Sequence, residues 1–277
     1  MNKKLNFSLH FAKSGGETAI FSLPQSNHYH TINHLQVGKN EIIEEAGWKN
    51  KVVIISQPNN TISFRAKLNN IEASIPEELT ADSYKRIPKL LISPNRFING
   101  KDPKIISLAQ KVVDTEQNLS SAMRKLYDFT LNYLTYGKPI DGLYTYKQAV
   151  EGRIIDCGGF STFLASLLQS LGIPLRLVAG FLIKNDFIAR LKTFNFSFLT
   201  FNFLMMHAWL EVLLPNNVWF PLDPSIEWRR QKGLTVREGG FGYIPSDRLV
   251  TSFGEDFEIN LNDKTYKIDL LQKPVYL

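Results

Sequence analysis

The stretch RIIDCGGFSTFLASLLQSLGIP, residues 153–174, holds the single Cys of a 277-residue chain, and its reading decides the fold. Phe160, Phe163, Leu164, Leu167, Leu168 and Leu171 recur at offsets 0, 3, 4, 7, 8 and 11, the spacing of one buried face of a helix. Gly172 suits a left-handed C-terminal cap and Pro174 blocks continuation, so the helix ends there. Cys157 therefore falls at or just before the helix N-terminus, where unpaired backbone N–H groups and the positive end of the helix dipole favour a thiolate and lower its pKa. Gly158 and Gly159 add no side-chain bulk, which leaves a substrate carbonyl room to reach the sulfur and the N–H groups that stabilise an oxyanion. The competing reading is a small buried Cys filling a core gap.

Downstream residues weigh against the core-gap reading. The segment MHAWLEVLLPNNVWFPLDPS predicts a β-hairpin with a strand over about 206–214, a turn at Pro215, Asn216 and Asn217, and a return strand to about 223. If the turn uses three residues, Leu214 faces Val218 and Trp209 faces Asp223, which sets Asp223 diagonally beside His207 on one face. A two-residue turn sends them to opposite faces. Singly, His207 reads as a satisfied structural residue and Asp223, before a Pro, as a turn former. Jointly, a thiol at a helix start, a His on a later strand and an Asp on the paired strand form the layout of a Cys-His-Asp nucleophile, in which the acid orients the base.

Upstream, residues 1 to about 70 alternate apolar and polar positions in LNFSLHFA, TAIFSL, HTINHLQV, KVVIIS and TISFRAKL, the pattern of antiparallel strands. Pro76, Pro88, Pro94 and Pro103 mark an irregular connection over 71–103. From Lys104 onward two helices fit, the first carrying Ile105, Leu108, Val112 and Val113, the second Met123, Leu126, Tyr127, Thr130, Leu131 and Leu134.

CGGFSTFLASLLQSLGIPLRLVAGF, followed by HAWLEV and WFPLDPS, resembles the transglutaminase-like superfamily of papain-type folds. The resemblance covers about 104–225, and the β-rich region before it, with LLISPNRFI, is similar to the N-terminal half of bacterial and archaeal members described as candidate cysteine proteases. It implies an α+β chain: a β-rich N-terminal domain over 1–100 and a papain-like/transglutaminase-like catalytic domain over 101–277, with helices packed on an antiparallel sheet. By the same resemblance Cys157 attacks an amide or ester carbonyl, His207 activates it and Asp223 holds the His, with no cofactor. An upstream side chain or amide supplies an oxyanion donor in that family; Tyr144, in GLYTYKQA, is the candidate here, with a packing aromatic as the alternative. The implied reaction is cysteine-dependent acyl transfer, first of all hydrolysis of a peptide or amide bond in a peptide, protein or small amide substrate. The rivals are transamidation or deamidation of glutamine amides, and a non-catalytic binding or assembly module that retains the fold.

One departure stands out. Relatives are expected to join the strand ending near Gly180 to the His by a short connection, whereas here 26 residues intervene, rich in Phe and poor in charge. Residues 187–203 read either as extra sheet and core, with Phe194, Phe196 and Phe198 on one side of a strand, or as an apolar flap, cleft wall or dimer surface. Glu211 shares a strand face with His207 and reads as a solvated or structural carboxylate.

Composition bounds the remaining classes. Hydrophobic residues at 44% and charged residues at 21% are ordinary globular usage, which disfavours disorder. The net charge of +6 is spread among acids with no basic stripe, which disfavours nucleic-acid binding. A lone Cys makes no internal disulfide and the first residues show no secretory signal, so a cytoplasmic location is expected. No window reaches 18 uncharged apolar residues, so no membrane span is expected. His28, His30 and His34 cluster in NHYHTINH without flanking Cys and read as a polar exposed strand rather than a metal site. The zinc-binding Cys pairs of peptide N-glycanases are ruled out by the Cys count, and EGGFG at 238–242 is a turn, lacking the Lys and helix of a phosphate loop.

Overall fold

The computed structural model describes residues 3–11, 18–56, 60–183, 194–195 and 204–277. In chain order these form β1 (Lys3–Phe11), β2 (Ala19–Ser22), β3 (His30–Gln36), β4 (Glu41–Glu44), β5 (Lys51–Ile55), β6 (Asn60–Leu68) and β7 (Ile71–Glu72). Then follow α1 (Pro103–Val113), α2 (Leu119–Tyr133), β8 (Thr135–Tyr136), α3 (Tyr146–Gly152), β9 (Ile154–Ile155), α4 (Cys157–Ser170), β10 (Leu175–Ile183), β11 (Phe194–Asn195) and β12 (Leu204–Leu213). The remainder is β13 (Trp219–Leu222), α5 (Pro224–Gln231), β14 (Tyr243–Ile244), β15 (Arg248–Phe253), β16 (Phe257–Leu261), β17 (Lys264–Ile268) and β18 (Val275–Tyr276). The fold is α+β. It divides into two compact units, one of residues 1–71, 179–207 and 245–277, the other of 72–178 and 208–244. The linear division at residue 100 and this grouping differ because the chain returns to the first unit twice, with the boundaries inside β10 and β12.

The first unit is built from β strands. Its first sheet runs β11-β1-β6-β3 and its second β18-β2-β5-β4. The alternation read in LNFSLHFA and TISFRAKL is that of the first sheet: Phe7 and Leu9 of β1 face Phe64 and Ile62 of β6 and enter one apolar cluster, and the Phe7 and Phe64 rings stack at 4.9 Å. The second sheet is buried on both faces. Phe21, Val53 and Ile55 face the same cluster as β1, while Ile20, Val52 and Ile54 face a second cluster with Phe257, Ile259, Ile268 and Leu271. Two-sided burial explains why KVVIIS is a continuous apolar run instead of an alternating one. Phe194 and Asn195 pair in parallel with β1; the rest of the Phe-rich stretch over 187–203 lies outside the described residues.

His30 departs from the expected exposed polar strand, being fully buried at the start of β3. Its Nε2 lies 3.1 Å from both the N and the O of Val250, and its Nδ1 has no partner. A second ring proton is thus stranded without an acceptor, and burial holds the imidazole down to about 4 from an ordinary 6.5. A base whose folded pKa is depressed contributes stability that is complete above pH 6.5 and is lost as pH falls through 4. Equilibrium unfolding in denaturant should show the wild type losing about 3 kcal/mol over that window through this group. His30→Gln should remove most of that loss; an equal pH dependence in the two proteins would contradict the assignment.

The second unit is organised about α4. The helix is buried from Gly158 to Gln169, on every side and not only on its apolar face. Its hydroxyl positions dock loops instead of meeting water: Ser161 Oγ donates to the Cys157 and Ala208 carbonyls, Thr162 Oγ1 to the Tyr144 carbonyl at 3.0 Å, and Ser166 Oγ accepts the Asn99 N–H at 3.1 Å. The end is as the sequence predicts. Gly172, at φ 74°, donates to Gln169 O and Ile173 to Leu168 O, the paired bonds of a Schellman motif. Around α4 stand α1, capped by Asp102, α2, capped by Asn118, and α3, whose Thr145 and Gln148 form a capping box.

Candidate active site

The site is built at the N-terminus of α4. Asp156 caps the helix, its Oδ1 accepting the Gly159 N–H at 3.1 Å and its Oδ2 the Ile140 N–H at 3.4 Å. Burial lifts this carboxyl above its usual range, against the N–H groups of Gly159, Ile140 and Gly158. One capping acid therefore ties the 137–144 loop to the helix start. Cys157 follows, half-buried and unpaired in any disulfide.

The sequence predicts a lowered thiol pKa; the structure gives the opposite. Burial pushes Cys157 up to about 12, with Asp156 and, more weakly, Asp223 adding to it, while the N–H groups of Ala208 and Gly158 pull it down. A helix N-terminus favours a thiolate by electrostatics alone, and here desolvation and an adjacent carboxylate outweigh it. The two glycines also have a different use from the one expected. A Cβ on Gly158 would lie 2.7 Å from Leu143 Cδ1, and one on Gly159 2.7 Å from Ile155 Cδ1 and 3.1 Å from Tyr144 Cβ, so both let the 143–155 segment lie flat on α4.

Asp223 is completely buried and begins α5 as its N-cap, with Pro224 at the first helical position. Its Oδ1 accepts the Ile226 N–H at 3.2 Å and the Ser225 hydroxyl at 3.3 Å. The three-residue turn holds: Leu214 N–H donates to Val218 O, Asn217 adopts φ 63°, and Leu210 faces Leu222 through to Leu213 facing Trp219. Continued by one pair, this register sets Trp209 opposite Asp223. Two residues fix the Asp223 main chain from the other side. Tyr127, on α2, donates to Glu227 Oε2 at 2.9 Å and lies 3.1 Å from the Asp223 carbonyl, and Gly240 O accepts the Asp223 N–H at 3.0 Å. Gly240 has no room for a side chain, since a Cβ would fall 2.1 Å from Glu227 Oε2.

His207 belongs to the first unit and is buried there. Its carbonyl accepts from Gln272 Nε2 at 2.6 Å, and the same amide group donates to Gly180 O at 2.8 Å. Glu211 is not solvated: it is fully buried and paired with Arg176 at 2.8 Å, whose guanidinium stacks 3.8 Å from the centre of the Trp219 ring. Tyr144 is buried with its hydroxyl donating to the Lys138 carbonyl at 2.8 Å.

Cys157 and Asp223 are thus brought together in the second unit, and the same neighbourhood contains a side chain that the sequence analysis passed over. Tyr136 is held by the parallel β8–β9 pairing, in which it faces Ile155, with the Gly137 N–H on Ile155 O at 2.7 Å. Burial raises its phenol; Cys157, Asp156 and Asp223 raise it further and Arg229 opposes them. Its hydroxyl has no hydrogen-bond partner among the described residues. Only its place two residues before KP in TYGKP marks it, and no spacing rule links it to Cys157. Among the described residues no three His, Cys, Asp or Glu side chains group to hold a metal ion, and no helix is long and apolar enough to cross a membrane.

A family model described as the transglutaminase-like superfamily matches residues 106–224, a span containing Cys157, His207 and Asp223. The chain is similar over 100% of its length, and 86% of the other's, to a candidate cysteine protease from Cytophaga hutchinsonii, at 15% identity and a TM-score of 0.53. The periplasmic domain of TgpA from Pseudomonas aeruginosa matches 82% of this chain and 75% of its own, at 17% identity and a TM-score of 0.42. No curated protein matches the sequence.

Proposed function

We propose, from the match of residues 106–224 to the transglutaminase-like superfamily, that the chain is a thiol acyl-transfer enzyme that hydrolyses a peptide or amide bond. In the proposed reaction His207 takes the proton from the Cys157 thiol as sulfur attacks the carbonyl carbon. The tetrahedral intermediate collapses, the C–N bond breaks, and the amine leaves with that proton. Water, deprotonated by His207, then cleaves the thioester, releasing the acid and restoring the thiol. Asp223 orients the imidazole.

The observation that carries this reading is the state of Cys157. A thiol pushed up to about 12 by burial is protonated at neutral pH, yet the backbone N–H groups of Ala208 and Gly158 act in the opposite sense and favour the anion once a base takes the proton. A merely space-filling Cys needs no such donors. For the oxyanion, the Cys157 N–H is one donor, since Asp156 Oδ1 accepts the Gly159 N–H and the Gly158 N–H is shared between Asp156 and the Cys157 thiol. Tyr136 suits the second position better than Tyr144, whose hydroxyl already bonds Lys138. Incubation with peptide, glutamine-amide and ester substrates, with and without a primary amine, tests the reading against a Cys157→Ala blank. Release of free acid lost in Cys157→Ala is the expected result. Products carrying the added amine would favour transamidation, and equal turnover by the blank would reject the thiol mechanism.

A further inference from the structure

Arg229 lies on α5, six residues beyond Asp223, with its guanidinium carbon 4.9 Å from the centre of the Tyr136 ring. The side chain is half-buried, and among the described residues it has no carboxylate partner. Its neighbours on the helix behave differently: Arg230 pairs with Glu227 at 3.5 Å, and Lys232 extends over the Trp228 ring from an exposed position. A partly desolvated guanidinium normally meets a carboxylate, because its fork of N–H donors matches two oxygens and leaving it unpaired is costly. The acids nearest the site are otherwise engaged, Asp223 in capping α5 and Asp156 in capping α4. The ring on which Arg229 rests belongs to the tyrosine that senses both the Cys157 sulfur and Asp223.

We propose that Arg229, stacked on Tyr136, is an anion-recognition residue that binds a carboxylate carried by the substrate close to its scissile carbonyl. The inference rests on the acyl-transfer reading and narrows its substrate class to amides next to a free carboxylate, such as an acidic or carboxy-terminal residue.

The test uses the full chain and two alkylating probes of similar size, the anionic iodoacetate and the neutral iodoacetamide, each referred to its rate with free cysteine. Cys157 in the wild type should prefer iodoacetate, and Arg229→Gln should lower that preference by about tenfold, the order expected for one charge pair in a partly buried site. Lys232→Gln, which removes the same charge nearby, should leave the preference intact, and Arg229→Glu should shift it toward the cationic probe 2-bromoethylamine. The wild-type measurement stands even if a variant misfolds: no preference for iodoacetate there overturns the inference. An unchanged preference in a folded Arg229→Gln overturns it equally. Failure of both probes to alkylate Cys157 overturns the acyl-transfer reading and this inference together, whereas alkylation without preference for iodoacetate overturns this inference alone.

Discussion

Replacing His207 by Gln lowers the rate at which iodoacetamide alkylates Cys157 at pH 7 by roughly 100-fold or more. The magnitude follows from the thiol's surroundings. Burial and Asp156 hold Cys157 up at about 12. An acid with its pKa raised stays protonated longer as pH rises, so without a base the thiolate is scarce at pH 7 and grows about tenfold with each pH unit. With His207 as proton acceptor, the wild-type rate is already high near neutrality and changes little from pH 6 to 9. The variant's rate instead climbs through that range without a plateau. Mass spectrometry of the Cys157 peptide against time, at several pH values, reads both profiles. If wild type and variant share the steep profile, His207 takes no proton from Cys157 and the proposed mechanism fails.

The second large effect separates the two uses of Asp223. Asp223→Asn keeps an oxygen for the Ile226 N–H, so α5 retains its cap, but it removes the charge that would orient and stabilise an imidazolium. Turnover should fall by about 10⁴-fold with little change in unfolding temperature, the scale seen when the acid of a nucleophilic triad is made neutral. Asp223→Ala loses the cap as well and should cost a further 1–2 kcal/mol, roughly, in stability. Steady-state kinetics and thermal unfolding on both variants decide the matter: an Asn variant with near-normal turnover makes Asp223 a helix cap only.

Much of the architecture was legible because it depends on local chemistry. The C-terminal end of α4 is written in Gly172 and Pro174, and the β12–β13 turn in Pro215, Asn216 and Asn217, residues whose backbone preferences act within a few positions. Burial on a second side was not legible. Ser161, Thr162 and Ser166 look like a solvent face until the loops they bond are in place, and KVVIIS, grouped with the alternating strands, is an apolar run because its strand is covered on both sides. Glu211 stayed open between a solvated and a structural carboxylate for the same reason, since Arg176, whose pairing makes it structural, stands 35 residues away on another strand.

The chemistry of the site divides likewise. Residue types and order single out Cys157, His207 and Asp223. The sign of the Cys157 shift was missed because the helix dipole is a local quantity and desolvation is not. Tyr136, Arg229, Tyr127 and Gln272 carry no signal along the chain, since each acts across a gap set by the fold: Tyr127 reaches Glu227 and Gln272 reaches the His207 carbonyl.

On the proposed acyl-transfer reading, a nucleophile mounted on a helix with no watery side is a fixed anchor. With α4 enclosed from Gly158 to Gln169, displacing Cys157 means unpacking the centre of its unit, so accommodation of differently shaped acyl groups falls to the exposed stretches nearby. The turn over 137–142 and the segment over 232–238, which presents Leu234 and Val236 to solvent, are the exposed parts that can be reshaped while the sulfur keeps its place.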